Sequence, residues 1–194
     1  TLICYEDTDP SIPLGFFNSG YSPNFFINTS NDGWFKGSEE HEQHLAISRF
    51  RAIETRRAII RSVNMGISAL IDSNGKVLKP ESTEATNQAN TFIWKINYPG
   101  PKSKALAVSD WHKFKTNQGM IIAAIPIDSR FSLYTKTGDL LPYACWLTLF
   151  FIYAFYRISF MVKPFSKNLF VLVFYFFLYL LILLLLRLFK FFFI

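Results

Sequence analysis

With 194 residues the chain is long enough to bury a core without disulfide or metal staples. It is 51% hydrophobic and 18% aromatic, and its 22 phenylalanines crowd towards the last third, a skew that implies a soluble part joined to a membrane part rather than one uniform domain. A net charge of +6 would suit nucleic acid, but the basic residues after Ser129 flank apolar runs instead of forming a groove-like patch, so membrane headgroups are the expected anionic partner and nucleic acid is not.

The opening residues Thr1-Leu2-Ile3-Cys4 have neither a basic leader nor an initiator Met, and they read as the interior of a longer protein. Leu2 to Cys4 predict a short apolar strand, halted by Glu6-Asp7-Thr8-Asp9-Pro10. Asn24 to Asn28 predict a second buried strand, followed by a tight turn at Ser30-Asn31-Asp32-Gly33. From Ser38, a capping residue, the pattern turns helical, with Ala46, Phe50 and Ile53 as the expected buried face and an end near Arg57. Ile59, Ile60 and Val63 then predict a strand, and residues 67–71 and 77–78 flank an Asn74-Gly75 hairpin turn. Residues 79–118, broken by Pro80, Pro99, Gly100 and Pro101, read as an irregular excursion with one short strand at Phe92 to Ile96. Met120 to Ile127 looks like a core strand.

A domain boundary is expected near Gly138, dividing residues 1–138 from 139–194. Beyond it, residues 140–162 and 168–186 are each close to the roughly 20 apolar residues that a spanning helix needs. Arg157, Lys163 and Lys167 cluster between them, which by the positive-inside rule puts that connection in the cytoplasm and the domain before Gly138 on the outer face. Arg187 and Lys190 leave two courses open for the second segment, across the bilayer or along its surface.

Several stretches, in order, resemble one family. Leu2-Ile3-Cys4-Tyr5-Glu6 is similar to the nucleophile strand of the nitrilase family, and the Cys-Tyr-Glu form resembles the apolipoprotein N-acyltransferases, its membrane-anchored members. Asn28-Thr29-Ser30-Asn31-Asp32-Gly33-Trp34-Phe35, then Gln43-His44-Leu45-Ala46 with Arg49, Arg51, Ala52 and Glu54, extend the match. So do Arg61 to Ala69, Ile125 to Arg130 and Leu133 to Asp139, and the resemblance runs from Leu2 to about Phe160.

The resemblance implies an α/β fold, part of an αββα sandwich, followed by one or two C-terminal transmembrane helices. It also implies a Glu, Lys and Cys catalytic set, of which Cys4 is the counterpart present here. An ordinary thiol ionises near pH ~8.5, so a base and a positive charge must generate the thiolate, and Cys4 alone should be a poor catalyst. The implied reaction moves an acyl chain from a phospholipid to Cys4 as a thioester, then to the N-terminal amine of a diacylglyceryl-modified apolipoprotein, with no cofactor. The implied setting is the bacterial inner membrane, with a multi-pass anchor and the catalytic domain on the periplasmic face. Glu6 matches a supporting acid, and Tyr5 and Trp34 match pocket-lining positions for substrate.

Two other readings stay open: an amidase of the same superfamily, and a truncated non-catalytic remnant. The departures that keep them open are the wording of Lys36 to His41, the length of residues 79–118 and the apolar tail after Lys163. His41 and His44 stand three apart on a helix, but a third His or Cys ligand does not accompany them and His112 is distant, so no metal is expected. Arg49, Arg51, Arg56, Arg57 and Arg61 alternate with apolar positions and with Glu54, which suggests structural ion pairs or lipid headgroups.

Overall fold

The computed structural model describes residues 1–85, 91–96, 104–115 and 118–161, with Tyr175 and Tyr179 beyond them. The chain forms two compact units, Thr1–Gly138 and Asp139–Ile194. The first unit is mixed α/β, as expected. Its larger sheet is built from β1 (Leu2–Ile3), β2 (Phe25–Asn31), β3 (Ala58–Asn64) and β4 (Ala69–Ile71), in that spatial order, with β1, β2 and β3 parallel and β4 antiparallel. Parallel neighbours need crossover connections, and these are α1 (Ser11–Asn18) between β1 and β2 and α2 (Glu40–Thr55) between β2 and β3. Cys4, Asp32 and Met65 therefore follow the carboxyl ends of three adjacent parallel strands, the edge of an α/β sheet where ligands usually bind. β1 is the outermost strand of the sheet on that side.

Side chains alternate along the strands, so the sheet has two distinct faces. Leu2, Phe26, Ile59 and Ile71 meet Leu45 and Ala52 of α2, with Ile12 and Phe17 of α1 alongside. Ile60 and Leu70, on the opposite face, pack with Leu78, Ile96, Ile121 and Ala123. The latter come partly from a second sheet of β5 (Ser82–Ala85), β6 (Thr91–Ile96) and β7 (Gln118–Ala123), in which β5 is antiparallel and β7 parallel to β6. The layers run helix, sheet, sheet.

Four expectations need correction. The buried face of α2 is His41, His44, Leu45, Ser48, Arg51, Ala52 and Thr55, whereas Phe50 is 59% exposed and Ala46 only half-buried. The apolar pattern misleads because this helix turns polar side chains inward, His41, His44 and Ser48 to partners on other elements and Arg51 to Glu54 of the same helix. Ser38 stays outside the helix, its hydroxyl accepting a long bond from the Glu40 amide (3.4 Å). The supposed irregular excursion carries β5 and a 3₁₀ turn (Val108–Phe114) as well as the expected strand, whose range is β6. β7 stops at Ala123 as an edge strand with Met120 and Ile122 exposed, because only alternate residues face the larger sheet. The sequence analysis does not anticipate helix α1: Pro10, read there as part of a strand-halting segment, stands at its N-cap, and Pro13 lies in its first turn where proline is tolerated.

The first unit closes with a short helix, α3 (Leu133–Thr137), and the second contributes α4 (Leu140–Met161), which covers the first of the two apolar segments. Among the described residues it is the one helix long and apolar enough to cross a membrane, with mean hydropathy 1.3 over Leu140–Arg157 and exposed Leu141, Trp146, Phe150 and Tyr153. Lys163, Lys167, Arg187, Lys190 and the span expected at 168–186 lie outside the described residues, Tyr175 and Tyr179 excepted.

The 72–76 turn is closed by the Asp72 carbonyl, which accepts from the Gly75 amide (2.9 Å), and by the Asp72 amide, which donates to the Lys76 carbonyl (2.9 Å). Gly75 has φ +76°, whereas Asn74 does not share the left-handed region, so glycine alone closes the hairpin. A Cβ there would stand 2.6 Å from Ile53 Cδ1 and 3.2 Å from the Arg49 carbonyl. Gly75→Ala is expected to cost about 1–3 kcal/mol, read from a denaturant titration of the full chain in detergent; an unchanged midpoint would contradict this account.

Candidate active site

Cys4 follows β1 and opens a 3₁₀ turn (Cys4–Thr8), and it does so with φ +52°, a conformation that costs a non-glycine residue about 1–3 kcal/mol. Such strain persists only where neighbours impose it. The Asn28 amide donates to the Cys4 carbonyl (3.0 Å), and the Glu6 carboxylate accepts from the Ile3 amide (2.8 Å). Thr8 Oγ1 donates to the Tyr5 carbonyl (2.7 Å). These bonds bend the chain sharply at the sulfur, which faces a shallow cleft of about 500 Å³ lined by Ile3, Cys4, Ser30, Asn31, Trp34 and Asn64, with Thr29 and Ser62.

Behind that turn lies a fully buried cluster. His44 Nε2 is 2.9 Å from Asp7 Oδ1, and His44 Nδ1 is 3.0 Å from Asp32 Oδ2. Carboxylates only accept, so both ring nitrogens carry protons and His44 is an imidazolium. Arg61 reaches Asp7 Oδ2 (3.2 Å) and Asp32 Oδ2 (3.4 Å), and Ser48 Oγ donates to Asp7 Oδ2. Two carboxylates thus face two cations, with all four side chains sealed from solvent. The cluster joins the turn after β1 (Asp7), the turn after β2 (Asp32), α2 (His44, Ser48) and β3 (Arg61).

Burial works against the charged forms of His44, Asp32 and Arg61, and the partners oppose it. For His44 the hydrogen bonds to Asp32 and Asp7 outweigh burial and hold the imidazole above its ordinary value. In Asp32 burial is outweighed by hydrogen bonds from His44 and Ser30 and by the charges of His44 and Arg61, leaving the carboxyl below its ordinary range. At Arg61 burial prevails over Asp7 and Asp32, and the guanidinium titrates lower than usual. Gly66 makes room for this packing: a Cβ there would stand 2.7 Å from Asp32 Oδ2 and 2.6 Å from Val63 Cγ1.

The foreseen site residues separate. Cys4 and Trp34 share the cleft, with Trp34 81% exposed. Tyr5 turns the other way, donating to Glu40 Oε1 (2.7 Å) and stacking on His44 at a centroid distance of 4.4 Å. Burial, then the Glu40 hydrogen bond, raises its phenol above the ordinary value. Glu6 braces the turn through the Ile3 amide. The two helical histidines are taken up inside the protein, His44 between carboxylates and His41 with Nε2 donating to the Asp32 carbonyl (2.9 Å). Among the described residues no group of three or more His, Cys, Asp or Glu is placed to hold a metal. Sequence reasoning took Arg61 for a structural ion pair but missed Asp7 and Asp32 as its partners; the available signal was a carboxylate following each of two short apolar strands.

The model of the carbon-nitrogen hydrolase family matches residues 1–97, from the strand before Cys4 through β6. The chain belongs to the carbon-nitrogen hydrolase family. Within it the chain is similar to apolipoprotein N-acyltransferase 2 of Leptospira interrogans, 32% identical over 155 residues that make up 80% of this chain and 20% of that protein. It is also similar to apolipoprotein N-acyltransferase 2 of Treponema denticola, 40% identical over 76 residues (39% of this chain, 14% of that protein). The apolipoprotein N-acyltransferase of Chlorobaculum tepidum is 30% identical over 144 residues (74% and 21%). The chain therefore spans about a fifth or less of the length of these carbon-nitrogen hydrolase relatives.

Because the folded chain holds the His44 proton more tightly than the unfolded one, that contribution to stability is complete below the ordinary imidazole value of about 6.5 and is lost as pH rises through the higher folded value. The melting temperature of the first unit should fall on going from neutral to alkaline pH. His44→Gln, which leaves two buried carboxylates facing one guanidinium, should cost roughly 3–5 kcal/mol and remove that slope. A slope that persists in the variant would assign it to another group.

Proposed function

We propose that Cys4 is the acyl-carrying nucleophile of a membrane-bound N-acyltransferase that takes a fatty acyl chain from a phospholipid and gives it to the N-terminal amine of an apolipoprotein. The observation that carries this reading is the strained turn that presents the Cys4 sulfur to an open cleft, in a chain similar to apolipoprotein N-acyltransferases. In the first step the thiolate attacks the ester carbonyl, and the lysophospholipid alkoxide leaves and takes a proton. In the second the acceptor amine attacks the thioester, an amide forms, and the sulfur recovers its proton.

Residues 1–138 form the catalytic part in this reading, and segments 140–162 and 168–186 anchor it in the bacterial inner membrane with the catalytic part on the periplasmic face. Trp34, large, apolar and exposed at the cleft, is suited to contact an acyl chain. Glu6 supports the site by holding the turn, and Tyr5 by packing behind it. In this reading a base and a lysine, which the family resemblance requires beside Cys4, complete the catalytic set, and this chain by itself is expected to be inactive.

Incubating the full-length parent with phospholipid and then mapping its peptides by mass spectrometry should find one acyl mass on Cys4. Cys4→Ala should lower lipoprotein N-acylation by roughly 10³-fold or more. Retained acylation in that variant would remove Cys4 from the reaction.

A further inference from the structure

The side chain nearest the sulfur in hydrogen-bonding terms is Ser30 of β2. Its Oγ lies 3.6 Å from Cys4 Sγ and 2.6 Å from Asp32 Oδ1. A hydroxyl has one proton to give. The shorter contact has the length of a charge-assisted O–H···O⁻ bond, and Asp32 is itself fixed by His44 and Arg61, so the carboxylate claims that proton. Ser30 therefore turns lone pairs towards the sulfur. Lone pairs complement an S–H and oppose an S⁻.

We propose that Ser30 is a positioning residue for the sulfur, which accepts a hydrogen bond from the Cys4 S–H and restrains the thiol until a base entering by the cleft removes the proton. The proposal rests on Cys4 being the nucleophile. Passing the proton inward instead, from Cys4 to Ser30 and from Ser30 to Asp32, would move it from a thiol to a carboxylate. Between ordinary groups that is uphill by more than about four powers of ten, and the cations around Asp32 make it steeper. The other polar groups of the turn are engaged elsewhere: the Glu6 carboxylate holds the Ile3 amide, and the Asn28 amide holds the Cys4 carbonyl. The buried cluster thus acts on the sulfur through one hydroxyl, and its effect is to restrain rather than to activate.

The restraint can be measured without lipid. In the full chain in detergent, with Cys145→Ser to remove the other thiol, iodoacetamide modification of the Cys4 peptide is followed by mass spectrometry at pH 7. Ser30→Ala should speed alkylation roughly three- to tenfold, the equivalent of one weak hydrogen bond, and Ser30→Thr, which keeps the hydroxyl, should stay within about twofold of the parent. An unchanged or slower rate in Ser30→Ala overturns the proposal. So does an equal acceleration in both variants, which would mean loosened packing rather than a missing hydroxyl. Failure of phospholipid to acylate Cys4 in the parent would sink the proposed function while leaving the alkylation result standing, so the two readings fail separately.

Discussion

The first unit is organised around four buried charges. Asp7, Asp32, His44 and Arg61 come from four different elements, and none of them would be tolerated there singly, since an unpaired charge in a protein interior costs several kcal/mol. Together they cancel. The neutral sum requires a protonated His44, so the packing of α2 against the two turns depends on a proton as much as on the apolar contacts of Leu45 and Ala52. Buried pairs of this kind are weak contributors to net stability but strict about geometry, because displacing one partner strands the others. Here that strictness fixes the turn that carries Cys4.

Cys4 could not hold φ +52° on local preferences alone. Three residues further on, Asp7 is bound by His44, Arg61 and Ser48, and on the strand side Asn28 grips the Cys4 carbonyl. The turn is pinned at both ends. Strain at the sulfur is thereby maintained by interactions that lie deeper than the cleft and need not change when a substrate enters. The same cluster reaches the sulfur through Ser30, so geometry and hydrogen bonding at the thiol have a common origin.

Much of this was legible in the residues. The strand before Cys4, the 72–76 hairpin and the apolar run that becomes α4 have short-range signals: β-branched or aromatic runs, an Asn-Gly turn and a length that matches a bilayer. What was not legible depends on contacts between distant positions. The inward face of α2 carries His41, His44 and Ser48, which no hydrophobic periodicity would select, because their burial is made acceptable by partners on other elements. Of the second sheet, β6 and β7 overlap expected strands, whereas β5 and the pairing among the three have no local signal, the strands being short and separated by polar and proline-rich stretches. Tyr5 adjoins Cys4 in sequence, yet the 3₁₀ turn sends the two side chains in opposite directions, which adjacency along the chain cannot reveal.

The outer edge of β1 has a chemical corollary. Strands in a sheet lie about 4.8 Å apart, so a segment that hydrogen-bonded to Leu2–Ile3 would run beside the turn that begins at Cys4. Such a segment would lie on the side of β1 opposite to β2, which carries Ser30. The turn at the sulfur would then be flanked by β2 with its Ser30 on one side and by the added strand on the other, with the backbone ladder setting the spacing between the two.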